Sequence, residues 1–120
     1  MRLVDDPEAV EWLTRLTGNQ EEFDWDDGNR TKIRKHEVQQ DDVEALFRHF
    51  WVFVGRIIEP LHEEDRWLAL GQGTNGRRLA LIFTRRGQRL RPISCRPMRR
   101  NERKIYEEAF SEDNETQSEG

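Results

Sequence analysis

Between residues 89 and 104 the chain reads RLRPISCRPMRRNERK, with seven Arg or Lys and one acid, Glu102. A guanidinium group holds its donors in a rigid fork that matches the oxygens of a phosphate. Three members of the run stand out. Arg96 closes a strand-like stretch, and Arg99 and Arg103 lie one turn apart on the helix-like stretch that follows. Gathered around one phosphodiester, such cations stabilise the anionic pentacoordinate phosphorus formed when an RNA 2′-hydroxyl attacks its own backbone. That chemistry runs without metal or cofactor. The alternative for any charge run is a solvated face.

His36 is the side chain best suited to proton transfer near neutral pH. With Lys32 and Lys35 it makes a second basic group, or else it is a helix-end histidine meeting the negative end of the helix dipole. Tyr106 follows Arg103 by three residues. It could stack a base or orient a phosphate, or lay its ring on a sheet with the hydroxyl at the rim. An ordinary tyrosine titrates near pH 10, which suits a base poorly. His36, His49 and His62 are scattered and Cys95 is the only cysteine, so no zinc-ligand spacing exists and no metal site is expected. The lone Cys95 also rules out a disulfide within the chain and reads as a small buried hydrophobe.

The elements that must position these residues alternate in type. Asp6 and Pro7 open a helix over 5–18, which Gly18 can end. The stretch 22–27, EFDWDD, alternates like a strand. A basic helix with an Asp27 cap follows over 27–36. An amphipathic helix over 40–50 places Val43, Leu46, Phe47 and Phe50 on one side, capped by Asp41 or Asp42. Strands follow at 51–58, 66–72, 77–85 and 89–96, with Asn75-Gly76 at a hairpin turn. Period two on the last strand sets Arg89, Arg91, Ile93 and Cys95 on one face and Leu90, Ser94 and Arg96 on the other. Pro92 cannot donate to a ladder, so this strand lies at an edge or is interrupted there. Pro97 opens a final helix to 110, and the acidic 111–120 reads as a disordered tail. The expected class is α+β.

The 120 residues carry a net charge of −4, but that figure hides an asymmetry. Residues 66–104 hold twelve basic side chains and one acid, while 1–27 hold two basic and nine acidic. Such separation points to a polyanion or an acidic partner. No apolar run approaches the roughly 20 residues of a membrane span. A soluble, cytoplasmic protein is the expectation.

Three stretches, FDWDDGNRTKIRKHEV at 23–38, DRWLALG at 65–71 and LRPISCRPMRRNERKIYEE at 90–108, occur in the order found in the BrnT toxins, which this chain resembles over about 22–108. The resemblance implies a RelE-like fold: a small antiparallel sheet with two helices before it and one C-terminal helix. Here an extra N-terminal helix would be added. It divides the chain into a helical extension (1–21), the BrnT/RelE-like domain (22–110) and the tail (111–120). It also implies a metal-independent endoribonuclease that arrests growth, with no cofactor and with RNA as substrate. Catalysis would fall to Arg96, Arg99, Arg103 and His36, and RNA binding to Lys32, Lys35, Arg91 and Tyr106. The implied partner is a cognate antitoxin with a ribbon-helix-helix DNA-binding part, in a heterotetramer. The sequence departs from the family pattern at Asn29 (commonly Lys), Glu37 (Gly), Pro92 (Ile) and Cys95 (Ala). The first two remove or oppose positive charge. The alternative is therefore a weak or inactive relative that acts in operon repression, as an interaction partner or as an RNA-binding module.

Overall fold

In the computed structural model, which describes residues 1–119 and side chains as far as Glu115, five strands form an antiparallel meander in the order β1-β2-β3-β4-β5. They are β1 (Arg2–Val4), β2 (Val52–Glu59), β3 (Trp67–Gln72), β4 (Arg78–Arg86) and β5 (Arg89–Pro97). The helices are α1 (Pro7–Leu13), α2 (Asp27–Arg34), α3 (Gln40–Leu46) and α4 (Arg100–Glu119). The class is α+β, as expected. No helix among the described residues is long and apolar enough to cross a membrane.

Alternation along the strands sorts the apolar side chains onto two faces. Leu79, Leu81 and Phe83 of β4 pack with Trp67, Leu13, Ile33, Val43 and Leu46, which places α1, α2 and α3 on one side. Ala80 and Ile82 pack with Leu68, Leu70, Tyr106 and Phe110, which places α4 on the other. Each fully buried Leu or Phe contributes roughly 1.5–3 kcal/mol. The N-terminal segment is built into this core. Trp12 lies against Trp67 and Phe83 at 6.2 and 6.4 Å between ring centroids. Asp6 caps α1 through the Ala9 N–H and also accepts from the Trp67 indole at 2.8 Å.

Several elements differ from the sequence reading. β1 was not expected. It pairs with β2 beside Gly55, where an added Cβ would stand 2.8 Å from the Val4 carbonyl. The stretch 22–27 is not a strand. Gln20–Glu22 is a 3-10 turn, and only Phe23 bridges to Leu90, in parallel. Its acids are drawn off elsewhere, since the Glu22 carboxylate accepts from the Thr17, Gly18 and Asn19 N–H groups. The cap of α2 is Asp26 rather than Asp27. α3 starts after Gln39, and Asp42 accepts from the Gln39 N–H and from Thr74, tying α3 to the β3–β4 turn. Pro97 ends β5 instead of opening α4, because it still lies opposite Leu79. α4 runs on to Glu119 through most of the stretch read as a disordered tail. No Pro or Gly interrupts 98–119, and the glutamates there are good helix formers. Gly120 lies outside the described residues.

α2 ends in a turn where Glu37 adopts φ 59° and donates its N–H to the Arg34 carbonyl. This left-handed position favours glycine, the residue common there in the resembled family. Glu37→Gly is expected to stabilise the protein by about 1 kcal/mol, read as a higher urea midpoint at unchanged slope.

Candidate functional site

β5 is an edge strand of the sheet, and it carries the central arginines. A bulge interrupts it: Phe83 lies opposite Pro92 and Ile82 opposite Ser94, so Ile93 is the extra residue. Both sequence alternatives for Pro92 are thus met, an edge and an interruption. The bulge also corrects the strict period-two face assignment. Leu90 and Cys95, expected on opposite faces, are both fully buried in the core under α1–α3. Arg96, opposite Ala80, faces α4. Burial pushes the Cys95 thiol up to about 12, which makes it an inert core residue.

Asn29 organises the other end of β5. It is buried, its side-chain NH2 donates to the carbonyls of Asp24 and Pro92 at 3.0 and 3.1 Å, and its Oδ1 accepts from the Asp26 N–H at 2.9 Å. The departure at 29 is therefore a structural knot joining α2 to the bulge at Pro92. Arg91 is bound beside it, to Asp26 at 2.7 Å and Asp24 at 3.4 Å. Burial opposes the Arg91 charge, but the two carboxylates outweigh it and raise its pKa further.

At the C-terminal end of β5, Arg96 donates twice to the buried Glu102, at 2.7 and 2.9 Å. The same carboxylate accepts the Arg99 N–H at 2.8 Å, which satisfies a free donor at the start of α4. Burial acts to raise the Glu102 carboxyl, yet Arg96 and the Arg99 N–H hold it below the usual carboxylate range. The side chains of Arg99 and Arg103 are exposed beside this clamp. The corner inferred from sequence therefore exists, with Arg96 held inside and Arg99 and Arg103 outside. Sequence reasoning missed Glu102 as its organiser. The signal was present, as one acid in a run of seven cations.

The remaining candidates are spread more widely. Tyr106 is fully buried. Its hydroxyl donates to the Phe50 carbonyl at 3.0 Å and accepts from Gln72 at 2.8 Å, so its ring has no open face for a base. Burial, the largest influence, raises its pKa. Lys32, Lys35 and His36 are exposed on α2 and the turn after it. Arg77 donates to the carbonyls of His36 and Glu37 at 3.1 and 2.7 Å, which fastens this turn to the start of β4, near the Arg96 end of the sheet. α2 and Arg96 are nevertheless on opposite sides of the sheet. Among the described residues no group of three or more His, Cys, Asp or Glu could hold a metal ion.

Two substitutions test these assignments. Tyr106→Phe leaves the Phe50 carbonyl and the Gln72 amide without their partner and should lower stability by about 1–3 kcal/mol in urea unfolding. Glu102→Gln strands the Arg96 charge and should lower stability by about 3 kcal/mol at pH 7. The Glu102 pKa is depressed on folding, so its contribution is complete above the ordinary carboxylate range. It disappears as pH falls through the depressed value. Wild type and variant should therefore converge in stability toward acid pH.

A family model described as "Ribonuclease toxin, BrnT, of type II toxin-antitoxin system" matches residues 25–102. That span contains α2, the bulged edge strand, Arg96 and the Glu102 clamp. Comparisons with curated proteins and with solved structures give no match. On the family match, covering well over half of its length, the chain belongs to the BrnT family of type II toxin–antitoxin ribonuclease toxins.

Proposed function

We propose that this BrnT-family chain cleaves RNA without a metal at the corner between β5 and α4. The observation that carries this reading is the clamp on Arg96, which Glu102 fixes at the corner beside the exposed Arg99 and Arg103. A phosphodiester seated there would be attacked by its adjacent 2′-hydroxyl. The new 2′-O–P bond forms as the P–O5′ bond breaks, leaving a 2′,3′-cyclic phosphate and a 5′-hydroxyl. Preorganised guanidinium groups stabilise the charge that builds on the phosphoryl oxygens. The 2′-hydroxyl proton is taken by solvent water and the departing O5′ takes one back. His36, on the turn after α2, lies on the side of the sheet opposite Arg96 and is out of reach of this step. Lys32, Lys35 and Arg91 are proposed to contact the RNA backbone.

The proposed partner is a cognate antitoxin with a ribbon-helix-helix DNA-binding part, in a cytoplasmic heterotetramer. Beside the corner lies a hollow of about 190 Å³ lined by Leu3, Val54, Leu68 and Ile105, with Met1 and Ile105 exposed, which supports a docking partner there. A second reading, an inactive relative that only binds its partner, is favoured by one observation. Arg96 is already neutralised by a buried carboxylate.

Expression of the chain alone should arrest growth and degrade cellular RNA, with relief by the neighbouring reading frame. Arg99→Ala should abolish the arrest while the protein stays folded. Arg96→Ala should abolish it as well, with some loss of stability. Normal growth with intact RNA would refute cleavage and leave the second reading standing.

A further inference from the structure

α4 covers only part of its face of the sheet. Leu68, Leu70, Ala80 and Ile82 are under it. Farther along the same strands, by the same alternation, come Arg66 before β3 and Arg86 at the end of β4. These two arginines line a cleft of about 320 Å³ with Arg91 of β5, Lys32 of α2 and two acids, Asp26 and Glu64. A second hollow of about 460 Å³, lined also by His62, Glu63 and Glu64, shares Arg66 and Arg86 and continues the cleft.

The charges in the cleft are weakly committed. Glu64 lies 3.6 Å from Arg66 and 3.7 Å from Arg86, beyond good hydrogen-bond length, so one carboxylate is stretched between two guanidinium groups. The Arg66 Nε is sealed from solvent and has no hydrogen-bond partner. The side chain of Arg86 is half exposed. By contrast, Arg91 is already held by Asp24 and Asp26, so it brings less uncommitted charge to a phosphate than Arg66 and Arg86 do. Neither Arg66 nor Arg86 has a structural role comparable to the Glu102 clamp.

We infer that this cleft is a second RNA phosphate site, formed by Arg66, Arg86 and Lys32, which holds the substrate strand away from the scissile corner. Arg91 and Arg96 mark its distance from the corner: five residues of strand, or about 15 Å. One extended RNA strand laid along β5 would place one phosphate at each end. The cleft offers no aromatic platform, so it grips backbone rather than base and gives affinity without sequence preference. The inference rests on the ribonuclease reading for the identity of the polyanion, though not on the catalytic assignment of the corner.

The test measures binding of a 2′-O-methylated oligoribonucleotide, which lacks the attacking hydroxyl, by fluorescence polarisation over a range of salt. Arg66→Gln with Arg86→Gln should weaken binding about tenfold and reduce the slope of log K against log salt by about 1.4. Because Arg66 is partly buried, Lys32→Gln with Arg86→Gln provides an exposed pair that leaves the fold intact and should act in the same direction. Arg96→Ala should abolish cleavage of unmodified RNA yet keep binding at this cleft. If Arg96→Ala still cleaves, the corner assignment fails and the cleft stands. Unchanged affinity and salt slope in both double variants would overturn the inference. So would lost antitoxin affinity with RNA affinity intact, which would assign the cleft to the protein partner.

Discussion

The Glu102 carboxylate holds together what the rest of the molecule requires to be joined. It takes two charge-assisted bonds from Arg96 on the edge strand and one from the Arg99 N–H at the start of α4. β5 therefore cannot shift without moving α4, whose first turns seat Tyr106 in the second core. A buried ion pair gains little over apolar packing, but breaking one half of it is expensive. Such a pair is better suited to fixing geometry than to adding stability. Here the fixed geometry is the direction in which the chain leaves the sheet, and with it the placement of Arg99 and Arg103.

The opposite end of β5 meets a similar problem by other means. Pro92 has no N–H to give and sits at a bulge, so its neighbourhood lacks part of the ladder. Asn29 supplies a donor to the Pro92 carbonyl from outside the sheet, and Asp24 and Asp26 fasten Arg91. A lysine at 29, the commoner family residue, would bring a charge to a buried position that here needs an amide. The departures at 29 and 92 are thus one coupled feature. Treating each as a separate loss of function, as the sequence alone suggested, overstates their effect on the positive surface.

Helices with periodic apolar faces and the meander were legible in the sequence because local chemistry sets them, although the β3–β4 link turns at Thr74-Asn75, with Gly76 in the left-handed position after it, rather than as a two-residue Asn75-Gly76 turn. The strand-to-helix junction that carries Arg96, Arg99 and Arg103 was legible because strand-like alternation gives way there to helical spacing. β1 was not legible, since three residues carry almost no periodicity. Its trace was Gly55 inside an apolar strand, a usual mark of close backbone approach. The bulge escaped because one extra residue leaves composition unchanged while turning every later side chain over. Of the two readings of Tyr106, the ring laid on the sheet is the one observed, because the sheet contact of α4 decides which side is inside.

The excess of charge in 66–104 also changes meaning once the fold is known. Part of it is structural: Arg78 pairs with Glu107, Arg91 with two aspartates and Arg96 with Glu102. Most of those acids lie outside the basic segment, on α4 or before α2. The acidic ends of the sequence therefore fold back to neutralise particular arginines rather than to screen a surface evenly. What remains exposed in the basic segment is Arg85, Arg86 and Arg89 around the β4–β5 turn, and Arg99, Arg100, Arg103 and Lys104 at the start of α4. At the corner, the exposed guanidinium groups stand beside one, Arg96, that Glu102 already holds in place, so part of the positive charge is fixed before any anion arrives. That is the condition under which electrostatics favours a transition state over a bound ground state.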